Sequence, residues 1–234
     1  MDSWSSAAHV SSTRTAGFMA AVYRWMAFGL ALTGIVAWAV ATTPSLRDAF
    51  CIFQDGRLVG VTGLFWVVGI AELALVFLFA PVVQRASIGA AVAMFLAYCA
   101  LTGVTLSIYL FVYTGASIAS TLFVTGGAFF ALSVYASTTK RNLDAWRSFL
   151  FIGLIGIILA SIVNIFLHSA AVNFVVSCAG VLVFAGLTAY DTQKLRAMAE
   201  QGEERQALVG ALALYLDFIN LFLFLLRFMG RRRD

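Results

Sequence analysis

Charged residues divide this chain into long apolar runs. No residue from Trp25 to Leu46 is charged, which is one span. Between Leu58 and Gln84 the only charge is Glu72, a second span. Ala86 to Thr139 holds none and is long enough for two spans, with a turn at Tyr113-Thr114-Gly115, where a glycine follows two polar residues. Ser148 to Tyr190 holds two more, turning at His168-Ser169, and Gln206 to Leu226 is a last span with Asp217 as its only charge. A membrane helix needs about 20 apolar residues, so the pattern predicts seven helices: about 17–42, 60–82, 87–112, 115–137, 147–168, 170–193 and 207–228. Residues 1–16 form a polar tail, and the whole of 1–234 reads as one membrane domain. Pro44 and Pro81 both fall at span ends, where a missing N–H costs least. A β-barrel would instead show strands of about ten residues that alternate apolar and polar, and Leu150 to Leu167 is continuous.

Composition agrees. The chain is 62% hydrophobic and 11% charged, against roughly 25% charged in a soluble domain. That excludes a soluble enzyme, a disordered chain and a nucleic-acid binder. The net charge of +4 reads as loop charge that sets topology. With the N-terminus inside, Arg14, Arg24, Arg85, Lys140, Arg141, Arg147, Lys194, Arg196 and Arg205 lie on the inner side, and the Arg231-Arg232-Arg233 run opposes them. N-inside is the expected orientation. No cleavable signal pattern precedes the first span, which is expected to act as an uncleaved signal. Small residues such as Gly89, Ala93, Ala97 and Ala100, and Gly126, Gly127, Gly153, Gly156 and Gly180, suit close helix packing. Cys51, Cys99 and Cys178 form no CxxC pattern and read as small buried residues.

The informative residues are the ionisable ones inside spans: Arg24, Glu72, Asp191 and Asp217. A charge at the bilayer centre costs at least about 2.5–3.5 kcal/mol and is kept with a partner, a water cavity or a role. Arg24 can snorkel to the interface or pair with Glu72. Asp217 sits midway along its span, with Asn220 a turn on and Gly210 and Ala213 before it on the same face, so it should point into the bundle. Asp191 follows Tyr190 near the end of the sixth span, which a short connection joins to the seventh. Antiparallel packing would bring the two aspartates together. Two carboxylates in contact in a poorly solvated place cannot both ionise cheaply; they share one proton and titrate as a unit. Such a pair is a pH latch, and with open coordination it also suits a hard cation such as Ca²⁺.

The segments Ala185-Gly186-Leu187-Thr188-Ala189-Tyr190-Asp191-Thr192-Gln193 and Leu214-Tyr215-Leu216-Asp217-Phe218-Ile219-Asn220-Leu221-Phe222-Leu223 strongly resemble the Bax inhibitor-1 (transmembrane Bax inhibitor motif) family. Tyr135-Ala136-Ser137-Thr138-Thr139-Lys140-Arg141 also resembles that family's junction between helices 4 and 5. The resemblance covers nearly the whole chain and is greatest to the bacterial inner-membrane branch. It implies an all-α bundle of six helices around a central helix 7, and a pH-dependent Ca²⁺ leak sensed by Asp191 and Asp217. It implies no cofactor, with Ca²⁺ and H⁺ as the ions handled. The family's gate also uses an arginine in helix 2, which this helix lacks: Arg57 precedes it and Glu72 lies inside it. Some relatives are linked to a membrane protease, so a regulatory or structural role beside another membrane protein, without transport, is the alternative. The cell-death role of eukaryotic relatives does not transfer to a bacterial-looking chain.

Enzyme readings fit poorly, and no catalytic activity is expected. An intramembrane aspartyl protease carries Gly-x-Gly-Asp, where this chain has Leu214-Tyr215-Leu216-Asp217; a serine protease needs a Ser with a His, and His9 and His168 are the only histidines. A retinal protein needs a lysine within a span, and Lys140 and Lys194 are both placed at loop boundaries. The expected site is therefore Asp191 and Asp217, supported by Glu72, Arg24, Asn220 and Tyr190.

Overall fold

The computed structural model describes residues 2–199 and 204–233, with side chains over 13–199 and 205–233. Seven helices among them are long and apolar enough to cross a membrane. The chain is an all-α, multi-span membrane protein. Its large outward side chains are apolar, Phe123 being 84% and Phe77 78% exposed, as a lipid-facing surface requires. The last span is the most enclosed, with 61% of its apolar window buried against 39% or less in the others.

The described residues form two compact units. One runs to Gly115 and takes in the last helix as far as Leu212. It holds α1 (Asp2–Thr42), α2 (Pro44–Phe50), strands β1 (Cys51–Gln54) and β2 (Arg57–Val61), α3 (Gly63–Val83), α4 (Ile88–Leu106) and the short α5 (Tyr109–Val112). The polar stretch 1–16, expected as a tail, is helical from Asp2 because no Gly or Pro interrupts it before Gly17; Met1 lies outside the described residues. Residues 60–62, expected in the second span, belong to a hairpin and the Thr62 cap instead. Strands β1 and β2 pair antiparallel around Asp55 (φ 50°) and Gly56 (φ 78°), a two-residue turn that Asp-Gly adopts without strain. Burial pushes the Cys51 thiol in β1 above its ordinary value. Helix starts are capped locally: Thr62 accepts from the Phe65 N–H and Ser87 from the Ala90 N–H. Helix α4 packs on both α1 and α3. Gly103 permits the first approach, since a Cβ there would lie 2.8 Å from the Thr33 carbonyl oxygen.

The other unit begins at Ala116 and holds α6 (Gly115–Thr138), a 3₁₀ turn (Leu143–Trp146), α7 (Arg147–Leu167), α8 (Ala170–Met198) and the C-terminal part of α9 (Glu204–Met229). His168 ends α7 in the left-handed region at φ 50°, and Ser169 caps α8 by accepting from the Val172 N–H. Ile157, Val176, Val183, Phe184, Leu221, Phe224 and Leu225 form one core cluster here. Gly180 lets α8 meet α9, because a Cβ there would overlap the Phe224 ring. By contrast Gly89, Gly126, Gly127 and Gly156 would each place a Cβ in open space; the small-residue pattern marks close packing at only some of its positions.

Candidate functional site: a carboxyl pair between α8 and α9

Asp217 lies midway along α9 and is buried at 4% exposure. Asp191 lies two turns before the end of α8, half-buried, between the buried Tyr190 and Thr192. The two side chains meet between α8 and α9. Two ionised carboxylates have acceptors and no donor, so a direct hydrogen bond between such groups requires a proton on one of them. The chain's two intramembrane aspartates thus occupy one site. Asp217 Oδ2 is buried with no hydrogen-bond partner among the described residues.

The surroundings are polar in a way the ionisable residues alone do not reveal. Helix α6 buries Ser117, Thr121, Thr125, Phe129 and Ser133, a stripe that repeats every fourth residue. Hydroxyls in membrane helices commonly bond back to their own helix, and Thr125 does so, to the Thr121 carbonyl at 2.7 Å. Thr121 Oγ1, Ser133 Oγ and Thr192 Oγ1 are buried without partners among the described residues. Phe129 interrupts the stripe and meets Phe218, the neighbour of Asp217, edge to face at 5.6 Å. This stripe escaped the sequence reading, which followed charges; its signal was the period-four run of Ser and Thr from Ser117.

Tyr190 packs with Ala136, Leu143, Leu150 and Ala189. Lys194 Nζ lies over its ring, 5.9 Å from the centroid, and its positive charge also acts on Asp191. Asp144 and Arg147 are the other charges close to Tyr190. Asn220 donates from Nδ2 to the Leu216 carbonyl at 2.8 Å, so its amide is spent on its own helix.

Glu72 and Arg24 do not form the pair allowed for them. Arg24 is exposed, and among the described residues the one salt bridge is Arg47–Asp48 at 2.9 Å. Glu72 instead joins α3 to α4. It accepts from Thr102 Oγ1 and Thr105 Oγ1, each at 2.9 Å, and bonds Tyr98 as well. These partners sit at i, i+4 and i+7 and face one way along α4. Membrane hydrogen bonds between helices average about 0.6 kcal/mol and reach about 1.7. Thr102 and Thr105 also have backbone acceptors, Tyr98 O and Thr102 O, each at 3.0 Å. Glu72→Ala is therefore expected to cost no more than about 2 kcal/mol, and Glu72→Gln less, read as the drop in Tm of the purified chain in detergent.

Among the described residues no three His, Cys, Asp or Glu side chains gather as a metal-binding group.

Sequence comparison adds the relatives. The family described as "Inhibitor of apoptosis-promoting Bax1" matches residues 15–234. The chain is 48% identical over 223 residues to inner membrane protein YbhL of Escherichia coli, covering 92% of both chains. It is 43% identical to an uncharacterized protein of Caulobacter vibrioides, over 93% of this chain and 89% of that one. It is 35% identical to the uncharacterized membrane protein SpyM3_0260 of Streptococcus pyogenes, over 92% of each. With seven apolar helices and matches of this length, the chain belongs to the Bax inhibitor-1 family and is a multi-pass protein of the bacterial inner membrane.

Proposed function

We propose that this protein is a pH-sensitive cation leak, with Ca²⁺ as the permeant ion and the Asp191–Asp217 pair as its proton sensor. The meeting of the two aspartate side chains between α8 and α9 carries the reading. With one proton, α8 and α9 are joined at this point. When the proton leaves, two negative charges face each other in a poorly solvated place and repel. The opened pair then offers hard oxygen ligands to a divalent cation. The oxygens of Thr121, Ser133, Thr192 and Asp217, unpartnered among the described residues, support a route lined by polar groups, since buried hydroxyls normally find partners. Phe129 and Phe218 would form its apolar constriction beside Asp217.

The test is Ca²⁺ flux through proteoliposomes holding the purified chain, followed from acidic to mildly alkaline pH. Flux above protein-free vesicles that changes with pH is expected. A chain that passes no Ca²⁺ at any pH rejects the leak and leaves the aspartates as packing groups in a non-transporting partner of another membrane protein.

A further inference from the structure

The leak reading leaves two stretches of polar sequence idle: Thr139-Lys140-Arg141 after α6, and Gln193-Lys194 just beyond Asp191. The fold brings them together around an open cavity of about 470 Å³, lined by Lys140, Arg141, Asn142, Asp144, Gln193 and Lys194 among others. The rim is fixed by hydrogen bonds. Gln193 donates from Nε2 to the Arg141 carbonyl at 2.9 Å and accepts at Oε1 from the Leu143 N–H at 2.8 Å. Asn142 Oδ1 accepts from the Asp144 N–H at 2.8 Å. Gln193 thereby ties the loop that carries two cations to the helix that carries the third.

The charge is one-sided. Lys140, Arg141 and Lys194 are exposed, and among the described residues none of them is in a salt bridge. Among the described residues Asp144 is the only carboxylate lining the cavity. An anion is the complement, and an arginine fork beside two lysines suits a phosphate group. The cavity also lies where the membrane ends: α6 stops at Thr138 and the 3₁₀ turn opens at Leu143. Trp146, 55% exposed, and Tyr135, 47% exposed, flank it on those two segments, and such aromatic rings settle at headgroup depth. A phosphate held at that depth belongs to a lipid, as basic pockets between membrane helices commonly show.

We propose that this cavity binds the phosphate headgroup of an anionic phospholipid, with Lys140, Arg141 and Lys194 as its ligands. The experiment uses the full chain in neutral detergent at fixed moderate salt. Phosphatidylglycerol, phosphatidylcholine or inorganic phosphate is titrated in, and the rise in Tm and the lipids retained in native mass spectrometry are read. Phosphatidylglycerol is expected to raise Tm and stay bound, and phosphatidylcholine to do neither. Replacing Lys140, Arg141 and Lys194 by Gln should abolish the effect, and Lys194→Gln alone should weaken binding about fivefold. Asp144→Asn removes the opposing charge and should tighten binding by a similar factor, a gain that misfolding cannot mimic. Replacing Arg231, Arg232 and Arg233 by Gln removes as much charge elsewhere and should change nothing. Equal stabilisation by both lipids, or an effect that survives the triple Gln change at the cavity, overturns the proposal. Inorganic phosphate protecting as well as the lipid, through the same three residues, overturns the lipid assignment.

Discussion

In Asp217→Asn the Ca²⁺ flux is expected to lose its pH dependence. On the proposed function the native pair bonds only while it holds a proton, so the joined state exists on the acidic side and is lost as the pH rises. An asparagine amide donates to the Asp191 carboxylate without needing that proton, and the pair stays joined across the range. Coupling between two sites usually amounts to about 5–150-fold in an equilibrium. A native flux ratio of that size between alkaline and acidic vesicles should collapse to a flat line at the joined-state level. Asp217→Ala should also be flat, at the parted-state level, because neither a bond nor a second charge remains. The two variants therefore bracket the native curve from opposite ends. A native-like pH profile in Asp217→Asn removes the pair from the sensing role, whatever the absolute flux.

The second large effect is one of packing. Gly180→Ala is expected to destabilise the protein by about 1–3 kcal/mol, the usual cost of inserting a methyl into a filled core. The added Cβ would meet the inner atoms of the Phe224 ring, not a mobile tip. Phe224 is itself stacked on Phe184 at 5.6 Å and has little freedom to turn aside. Shortening the partner makes room, so Gly180→Ala with Phe224→Leu should recover part of the loss. A thermal-unfolding cycle over the four chains should show a coupling of about 0.5–3 kcal/mol. Additive losses would mean that the two positions do not meet. Because Gly180 shares α8 with Asp191 and Phe224 shares α9 with Asp217, the single variant should also disturb the pH response that the double variant restores.

These two predictions draw on different levels of the sequence. The aspartates were legible because an acid within an apolar run has few ways to exist, and a short connection leaves α8 and α9 few ways to pack. The seven spans were legible for the same reason, since the charges that end each run cannot be buried cheaply. The partners were harder to read. Glu72 is served by Tyr98, Thr102 and Thr105, three ordinary membrane-helix residues whose common face shows only once α3 and α4 are in register. The glycines were ambiguous because composition cannot say which side of a helix meets a neighbour: Gly103 and Gly180 touch one, Gly126 and Gly127 do not. The β1–β2 hairpin is masked in the sequence because Val59 and Val61 run on into the apolar stretch of the following span, although Asp55-Gly56 carries its turn signal.

The chain's last arginines are held through their backbone to the end of α5, the turn after it and the start of α6. Arg231 donates its N–H to Ser117 Oγ at 2.9 Å, Arg233 donates to the Val112 carbonyl at 2.9 Å, and Arg232 bridges Tyr113. Two stretches more than a hundred residues apart therefore emerge on the same face of the membrane as a single small surface. A membrane-impermeant label at Thr114 and one on the arginine run should react together or be shielded together. That pair of labels settles which side the run faces, a question on which the arginines' charge and the basic loops pull in opposite directions.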